Sequence, residues 1–177
     1  MEAPSYLNEP GDPWVLVSIS SQLQDDIPLA ETALAALALK PVRVILTVGP
    51  DHMPDELSIH PANAYIEQTV PHSAALKRGV LLVSHAGHGS VMKALWEGRP
   101  MVLTPWGRDQ PGVAARAHAL GVAEIVPRSP DAEAALAEAI DRALASSEMQ
   151  RAAAAHSARL HATDPPAVAA SLLESLL

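Results

Sequence analysis

The sequence predicts an α/β domain, a doubly wound parallel sheet of about six strands with extra helices at its C-terminal end. Three observations carry this expectation. Short apolar runs bounded by turn residues alternate about six times with segments of helical period. That alternation calls for parallel strands joined by crossover helices, with the sheet covered on both faces. The chain has 177 residues, 49% of them apolar, enough for one domain with a substantial core. With no Phe, two Tyr and three Trp, that core has to be aliphatic.

Residues 1–13 are polar, with Pro4, Pro10 and Gly11, and read as a linker or tail ahead of one domain over 14–177. Trp14 to Ser18 is a buried strand. Asp25 to Leu39 is a helix with Ile27, Ala30, Leu34 and Leu37 on one face. Val42 to Thr47 is a second strand, closed by Gly49-Pro50, and Asp51 to Pro61 is irregular. Ala64 to Glu67 is a short strand and Ser73 to Lys77 a brief helix. Gly79 to Ser84 is the strongest strand signal in the chain. The loop His85-Ala-Gly-His-Gly89 leads from it into a helix over Ser90 to Glu97, which Gly98 ends. Met101 to Thr104 is the next strand and Asp109 to Leu120 a helix, with Pro111 in the first turn, where a missing N–H costs nothing. Ala123 to Val126 is the last strand. Ser129-Pro130-Asp131 forms a cap, with an acid near the positive helix end, for three closing helices over 132–145, 148–160 and 165–176.

Composition excludes several function classes. Without Cys there is no disulfide and no thiolate metal site. The net charge of −8 and twelve scattered cations argue against a nucleic-acid surface, which needs a basic stripe. No apolar stretch approaches the roughly 20 residues of a spanning helix, and no basic-then-apolar leader follows Met1. A cytoplasmic domain without membrane contact is the expectation by elimination. An acidic chain can still hold one anionic ligand by local means, most cheaply at a helix N-terminus.

In doubly wound sheets ligands bind beyond the carboxyl ends of the strands, so two loops matter most. In the loop after Ser84, Gly87 and Gly89 let backbone approach a ligand, Ser90 stands at the helix start, and His85 can add a hydrogen bond or a proton. On its own this loop fits an ordinary glycine-containing turn equally well. The dinucleotide fingerprint fails, because Met92 stands where its third Gly would be. His85 and His88 lack a third metal ligand nearby, and no G-x-S-x-G elbow accompanies the histidine-glycine loop. After Thr104, Pro105-Trp-Gly-Arg-Asp109-Gln110 sets a carboxylate and an amide side by side, a donor–acceptor pair suited to vicinal hydroxyls. Taken alone, Asp109 reads as a helix cap.

Together the two loops resemble the donor-site signature of the UDP-glycosyltransferase superfamily, in the style of its bacterial natural-product and macrolide enzymes. The match runs from His85-Ala-Gly-His-Gly-Ser90 through Leu95-Trp-Glu-Gly-Arg-Pro100 to Pro105-Trp-Gly-Arg-Asp109-Gln110. Val70-Pro71-His72 is similar to the family's V-P-Q/H turn, and Ser18-Ile-Ser-Ser21 to its first donor-side loop. The resemblance implies one half of a GT-B fold, a Rossmann-like domain that holds a dTDP- or UDP-sugar and needs no metal or other cofactor. It implies that His85 contacts the diphosphate and eases its departure, and that Gly87, Gly89 and Ser90 bind phosphate oxygens. Asp109 and Gln110 would hold sugar hydroxyls, Val70 and His72 would border the base, and Ser20 and Ser21 would touch the donor from the first loop. The chemistry implied is displacement at the anomeric carbon with inversion.

The departures are informative. Ala86 stands where Gly is frequent, Thr69 where a base-stacking Trp is frequent, and Val113 where Asn is frequent. Lys93 replaces a Glu that accepts both ribose hydroxyls in many UDP-sugar users, and Lys cannot accept. A deoxyribose lacks one of those hydroxyls, so a dTDP-sugar gains weight; Lys93 as a solvated helix residue is the other reading. The acceptor-binding half, with its general base, is expected before Met1, and no His–Asp pair within the chain takes that role. Two other readings remain: a stand-alone nucleotide-sugar-binding module, and a UDP-sugar epimerase that would need more carboxylates than Asp109.

Overall fold

The computed structural model describes residues 2–20, 26–129 and 132–176. Six strands, β1 (Trp14–Ser18), β2 (Arg43–Thr47), β3 (Ala64–Glu67), β4 (Gly79–Ser84), β5 (Met101–Leu103) and β6 (Ala123–Ile125), form one sheet in the order β3-β2-β1-β4-β5-β6. Every pairing is parallel. The helices are α1 (Ile27–Leu37), α2 (His72–Arg78), α3 (His88–Trp96), α4 (Gln110–Ala119), α5 (Ala132–Ala145), α6 (Ser147–His161) and α7 (Pro165–Glu174). Expectation and structure agree on every strand and α-helix among the described residues, with ends shifted by a residue or two, while the 3₁₀ helices Ser5–Asn8 and Pro54–Glu56 were not expected. The cap expected at Ser129-Pro130-Asp131 falls largely outside the described residues.

The strands are continuous apolar runs because both faces are covered. Val15, Val17, Val44, Leu46, Val83 and Val102 face one core, shared with Leu34 and Leu37 of α1 and Leu136 and Ile140 of α5. Leu16, Ile45, Leu82, Met101 and Leu103 face the other, shared with Leu76, Leu95, Ala114 and Ala153. Alternation along each strand thus feeds two layers, and burial of some forty aliphatic and other apolar side chains, at ~1.5–3 kcal/mol for each large one, is the main stabilising term. Gly98 and Gly121 close α3 and α4 with φ of 65° and 72°, a region open to Gly at no steric cost.

The leading segment is fastened to the domain rather than trailing from it. Ser5–Asn8 forms a 3₁₀ turn that buries Leu7. Tyr6 stacks on Tyr65 of the edge strand β3 at 4.3 Å between ring centroids and donates a 3.2 Å hydrogen bond to Glu67. Arg43 lies over the Trp14 ring and donates to the carbonyls of Glu9 and Asp12. At the other end, α7 buries none of its residues and exposes Val168, Leu172 and Leu173. No described helix is long and apolar enough to cross a membrane.

The strand order places the site. β1 has β2 on one side and β4 on the other, so the connections leave in opposite directions and a crevice opens beyond the paired ends Ser18 and Ser84.

Candidate functional site

His85 follows β4 directly and sits in that crevice, 8% exposed. Its Nδ1 lies 3.4 Å from the carbonyl oxygen of Ser18, at the end of β1. A carbonyl only accepts, so Nδ1 carries the proton, and in the neutral ring Nε2 is a bare acceptor. Ala86 then turns the chain with φ 68°, which explains why Gly suits this position, and its N–H donates to Ser84 Oγ at 3.1 Å.

Gly87 caps α3 at φ −60°, an ordinary backbone conformation. What it supplies is the absence of a side chain: a Cβ there would stand 2.5 Å from His85 Nε2. The helix starts at His88, so His88 and Gly89 belong to its first turn and not to the loop expected from the sequence. Ser90 and Val91 N–H return to the Gly87 carbonyl, each at 3.1 Å. No side chain caps this end, and a Cβ on Gly89 would meet nothing within 4 Å. The result is an open helix start beside a buried imidazole, with helical amides heading into the crevice.

Burial holds the His85 imidazole below its ordinary range, opposed first by the Asp26 carboxylate, then by the Ser18 carbonyl and Asp109, while Arg108 adds to the depression. Asp26 escaped the sequence reading. It is 2% exposed, precedes α1 without capping it, and accepts the Ser20 N–H at 2.9 Å. The Ser20 amide is therefore engaged by Asp26, and Ser21 lies outside the described residues. An Asp before an apolar helix normally reads as a cap; only the fold turns this one towards His85.

On the other flank, Ser18, Thr47, Val70, His72 and Lys93 line a cavity of about 360 Å³. Val70 and His72, from one turn of the sequence pattern, thus meet Lys93 from another, and Thr69 joins them. His72 Nε2 is 3.0 Å from Thr47 Oγ1. Burial first, then the charges of Lys93 and His85, push the His72 pKa down to about 4, so this ring is neutral at neutral pH.

After β5, Asp109 and Gln110 part company. Asp109 is exposed and precedes α4 without capping it. Gln110 is 3% exposed, and its Oε1 accepts the N–H groups of Trp106 at 2.8 Å and Gly107 at 3.2 Å. Both lone pairs of that oxygen hold the loop in shape, so a ligand hydroxyl would find its acceptor in Asp109. Arg108 bends the loop at φ 58°. Of the remaining histidines, His52 pairs with Glu56, His118 with the Ala123 carbonyl and His161 with the Trp96 carbonyl, all structural contacts. Among the described residues no three His, Asp or Glu side chains converge as a metal ion would require.

Comparison with known proteins places the fold in a family. Residues 15–165 match the family described as glycosyltransferase family 28 C-terminal domain. NDP-glycosyltransferase YjiC of Bacillus subtilis is 29% identical over 137 residues, covering 77% of this chain and 35% of that protein. The calicheamicin glycosyltransferase CalG4 superposes with a TM-score of 0.85 at 25% identity, over 95% of this chain and 44% of that one. The spinosyn rhamnosyltransferase SpnG, in a structure complexed with thymidine diphosphate, shares the fold at a TM-score of 0.83 and 23% identity, over 98% of this chain and 48% of that one. The chain therefore spans between about a third and a half of the length of these relatives. It belongs to the family of glycosyltransferase C-terminal domains.

Proposed function

We propose that this chain is the donor-binding half of an inverting glycosyltransferase, holding a dTDP- or UDP-sugar whose hexose passes to a small-molecule acceptor. The observation that carries the reading is the pairing of buried His85 with the uncapped start of α3 at the strand-order switch. A base-sized cavity on one side and the exposed Asp109 carboxylate on the other extend it into a site for base, diphosphate and sugar. The thymidine diphosphate bound by a protein of the same fold supports the donor class.

In this reading the diphosphate lies over α3, where amides of the first turn and the Ser90 hydroxyl meet its oxygens. Because Nδ1 of His85 is committed to the Ser18 carbonyl, Nε2 can donate to a phosphate oxygen only after taking up a proton. The Asp26 carboxylate favours that imidazolium. As the acceptor hydroxyl attacks the anomeric carbon, the bond from that carbon to the diphosphate breaks. The growing charge on the leaving oxygen is met by the imidazolium and the helix amides. The acceptor's proton goes to a base on an acceptor-binding half, for which the greater length of the relatives makes room.

Lys93 at the base-side cavity favours dTDP over UDP, because it offers a ribose 2′-hydroxyl no acidic acceptor. The test is calorimetric titration of the chain and of His85→Ala with dTDP. The parent should bind, and the variant should lose roughly 10–100-fold, the worth of a hydrogen bond to a charged group. Equal affinities would remove His85 from the site and the reading with it.

A further inference from the structure

Among the described residues only two that are not glycine hold a positive φ, Ala86 at 68° and Arg108 at 58°. Both stand in loops at the crevice, one after β4 and one after β5. The loops leave side by side, for Ser84 pairs with Leu103 and the Thr104 N–H donates to the Ser84 carbonyl at 2.9 Å. The bend at Arg108 is an expensive choice, because a side chain in this region crowds its own backbone and Gly or Asn is the usual occupant. Gly107 stands directly before it and takes no positive φ, so the strain falls on an arginine beside an unstrained glycine. Strain of this kind persists where the surroundings enforce it, and it collects at functional sites. The enforcement is visible. Buried Gln110 accepts the N–H groups of Trp106 and Gly107 on Oε1, and its own N–H returns to the Gly107 carbonyl at 3.2 Å. Arg108 lies inside this closed turn and is itself exposed.

The order of the strands says what the guanidinium meets. The base-side cavity is lined by Ser18 and Thr47, which end β1 and β2, and by Gln68 to His72, which follow β3. His85 follows β4 and Arg108 follows β5, so cavity, imidazole and guanidinium come in that order along the sheet edge. Neighbouring strands lie ~4.8 Å apart, which sets Arg108 about one strand beyond His85. The charges of Arg108 and Asp109 both act on the His85 ring, so this loop faces the imidazole. A nucleotide with its base in the cavity and its phosphates passing His85 therefore runs towards β5 with its distal phosphate leading. Arginine suits that group better than any other side chain, since its planar guanidinium stays charged and offers paired donors to phosphate oxygens.

We infer that Arg108 binds the distal phosphate of the nucleoside diphosphate and is a second cation on the leaving group, beside His85. The inference rests on the donor reading above. As the bond from the anomeric carbon to the phosphate oxygen breaks, its electron pair stays on that oxygen. The guanidinium meets the added charge with hydrogen bonds and keeps its protons, whereas His85 has first to gain one. Two variants test the assignment. Arg108→Asn and Arg108→Gly both remove the charge, and both residues suit a backbone at φ 58°. Parent and variants are titrated with dTDP, dTMP and inorganic pyrophosphate, and their melting temperatures are measured.

Melting should stay close to the parent's, since relief of the backbone offsets the loss of an exposed side chain. Binding of dTDP and of pyrophosphate should weaken about 10-fold, the worth of a hydrogen bond to a charged group at an exposed site, and the loss should shrink with added salt. Binding of dTMP, which has no distal phosphate, should keep the parent's value. The inference is overturned if both variants bind dTDP and pyrophosphate as tightly as the parent, if dTMP binding falls in step with dTDP, or if both melt well below the parent. A parent that binds pyrophosphate but not dTDP would end the donor reading by itself, and the pyrophosphate arm would still decide Arg108. A parent that binds neither ends both.

Discussion

Gly87→Ala is the smallest substitution that should dislodge His85. The added methyl carbon would stand 2.5 Å from His85 Nε2 and 3.2 Å from Cε1. An unstrained contact between such atoms needs ~3.5–4.0 Å, so the ring has to retreat by about 1 Å. Little room exists for it, because His85 is 8% exposed and its other nitrogen faces the Ser18 carbonyl. The backbone at Gly87, with φ −60°, accepts alanine without strain, so the effect comes from the ring alone. Overpacking of this kind costs ~1–3 kcal/mol of stability. A ring displaced by about 1 Å also loses its bond to a phosphate oxygen, ~1.5–3 kcal/mol, or roughly 10–100-fold in Kd. Gly89→Ala is the comparison, since its methyl meets nothing within 4 Å and gains up to ~1 kcal/mol of helix propensity. Urea unfolding and dTDP titration of both variants form the assay. A Gly87→Ala chain that is as stable as the parent and binds dTDP as tightly would refute the role given to the His85 ring.

Other outcomes follow from the same geometry. Binding of dTDP should take up a proton at His85, whose free ring burial holds below its ordinary range, and so weaken as pH rises; titration in buffers of different ionisation enthalpy reads the proton directly. Asp26→Asn should depress the His85 pKa further and weaken dTDP binding several-fold at neutral pH, measured by the same titration. His72 sits near pKa 4 in the folded chain against about 6.5 unfolded, so the unfolded state binds the extra proton. Stability should therefore be full above pH 6.5 and decline by about 2–3 kcal/mol towards pH 4, and His72→Gln should flatten that part of the urea-midpoint profile. Lys93→Glu should improve UDP binding more than dTDP binding, because the carboxylate supplies the missing acceptor for a 2′-hydroxyl, worth ~1–3 kcal/mol if otherwise unpaired. An unchanged ratio would make Lys93 a solvated helix residue.

The sheet was legible because its strands are plain: Trp14-Val-Leu-Val-Ser18 and Gly79-Val-Leu-Leu-Val-Ser84 are aliphatic runs with turn residues at both ends. The crevice followed from alternation of strand and helix, and the resemblance of two loops to a known signature supplied the ligand class proposed for it. What stayed hidden depended on chain segments folding back on one another. Gln110 reads as a ligand residue beside Asp109, but its oxygen is taken by two amides of its own loop. Ser90 reads as the start of α3 by the usual preference for Ser at a cap, whereas Gly87 holds that place because no side chain fits against His85. Asp26 gave no sign that it would bury its carboxylate against Ser20 and act on His85. Tyr6 and Leu7 are two apolar residues in a polar stretch, too few for a pattern, and pack only because β3 offers Tyr65 and Glu67.

The donor-binding claim is tested most directly by calorimetric titration of the unmodified chain with dTDP and with UDP, no partner protein present. Both should bind with one-site stoichiometry, dTDP at least as tightly as UDP, while the same sample given dTDP-glucose and a small-molecule acceptor transfers no sugar, because in the proposed reading orientation of the acceptor and a general base, the latter worth ~10²–10⁴-fold, belong to an acceptor-binding half. Heat-silent titrations with both nucleotides, at concentrations where the chain is folded, would contradict the account at its centre.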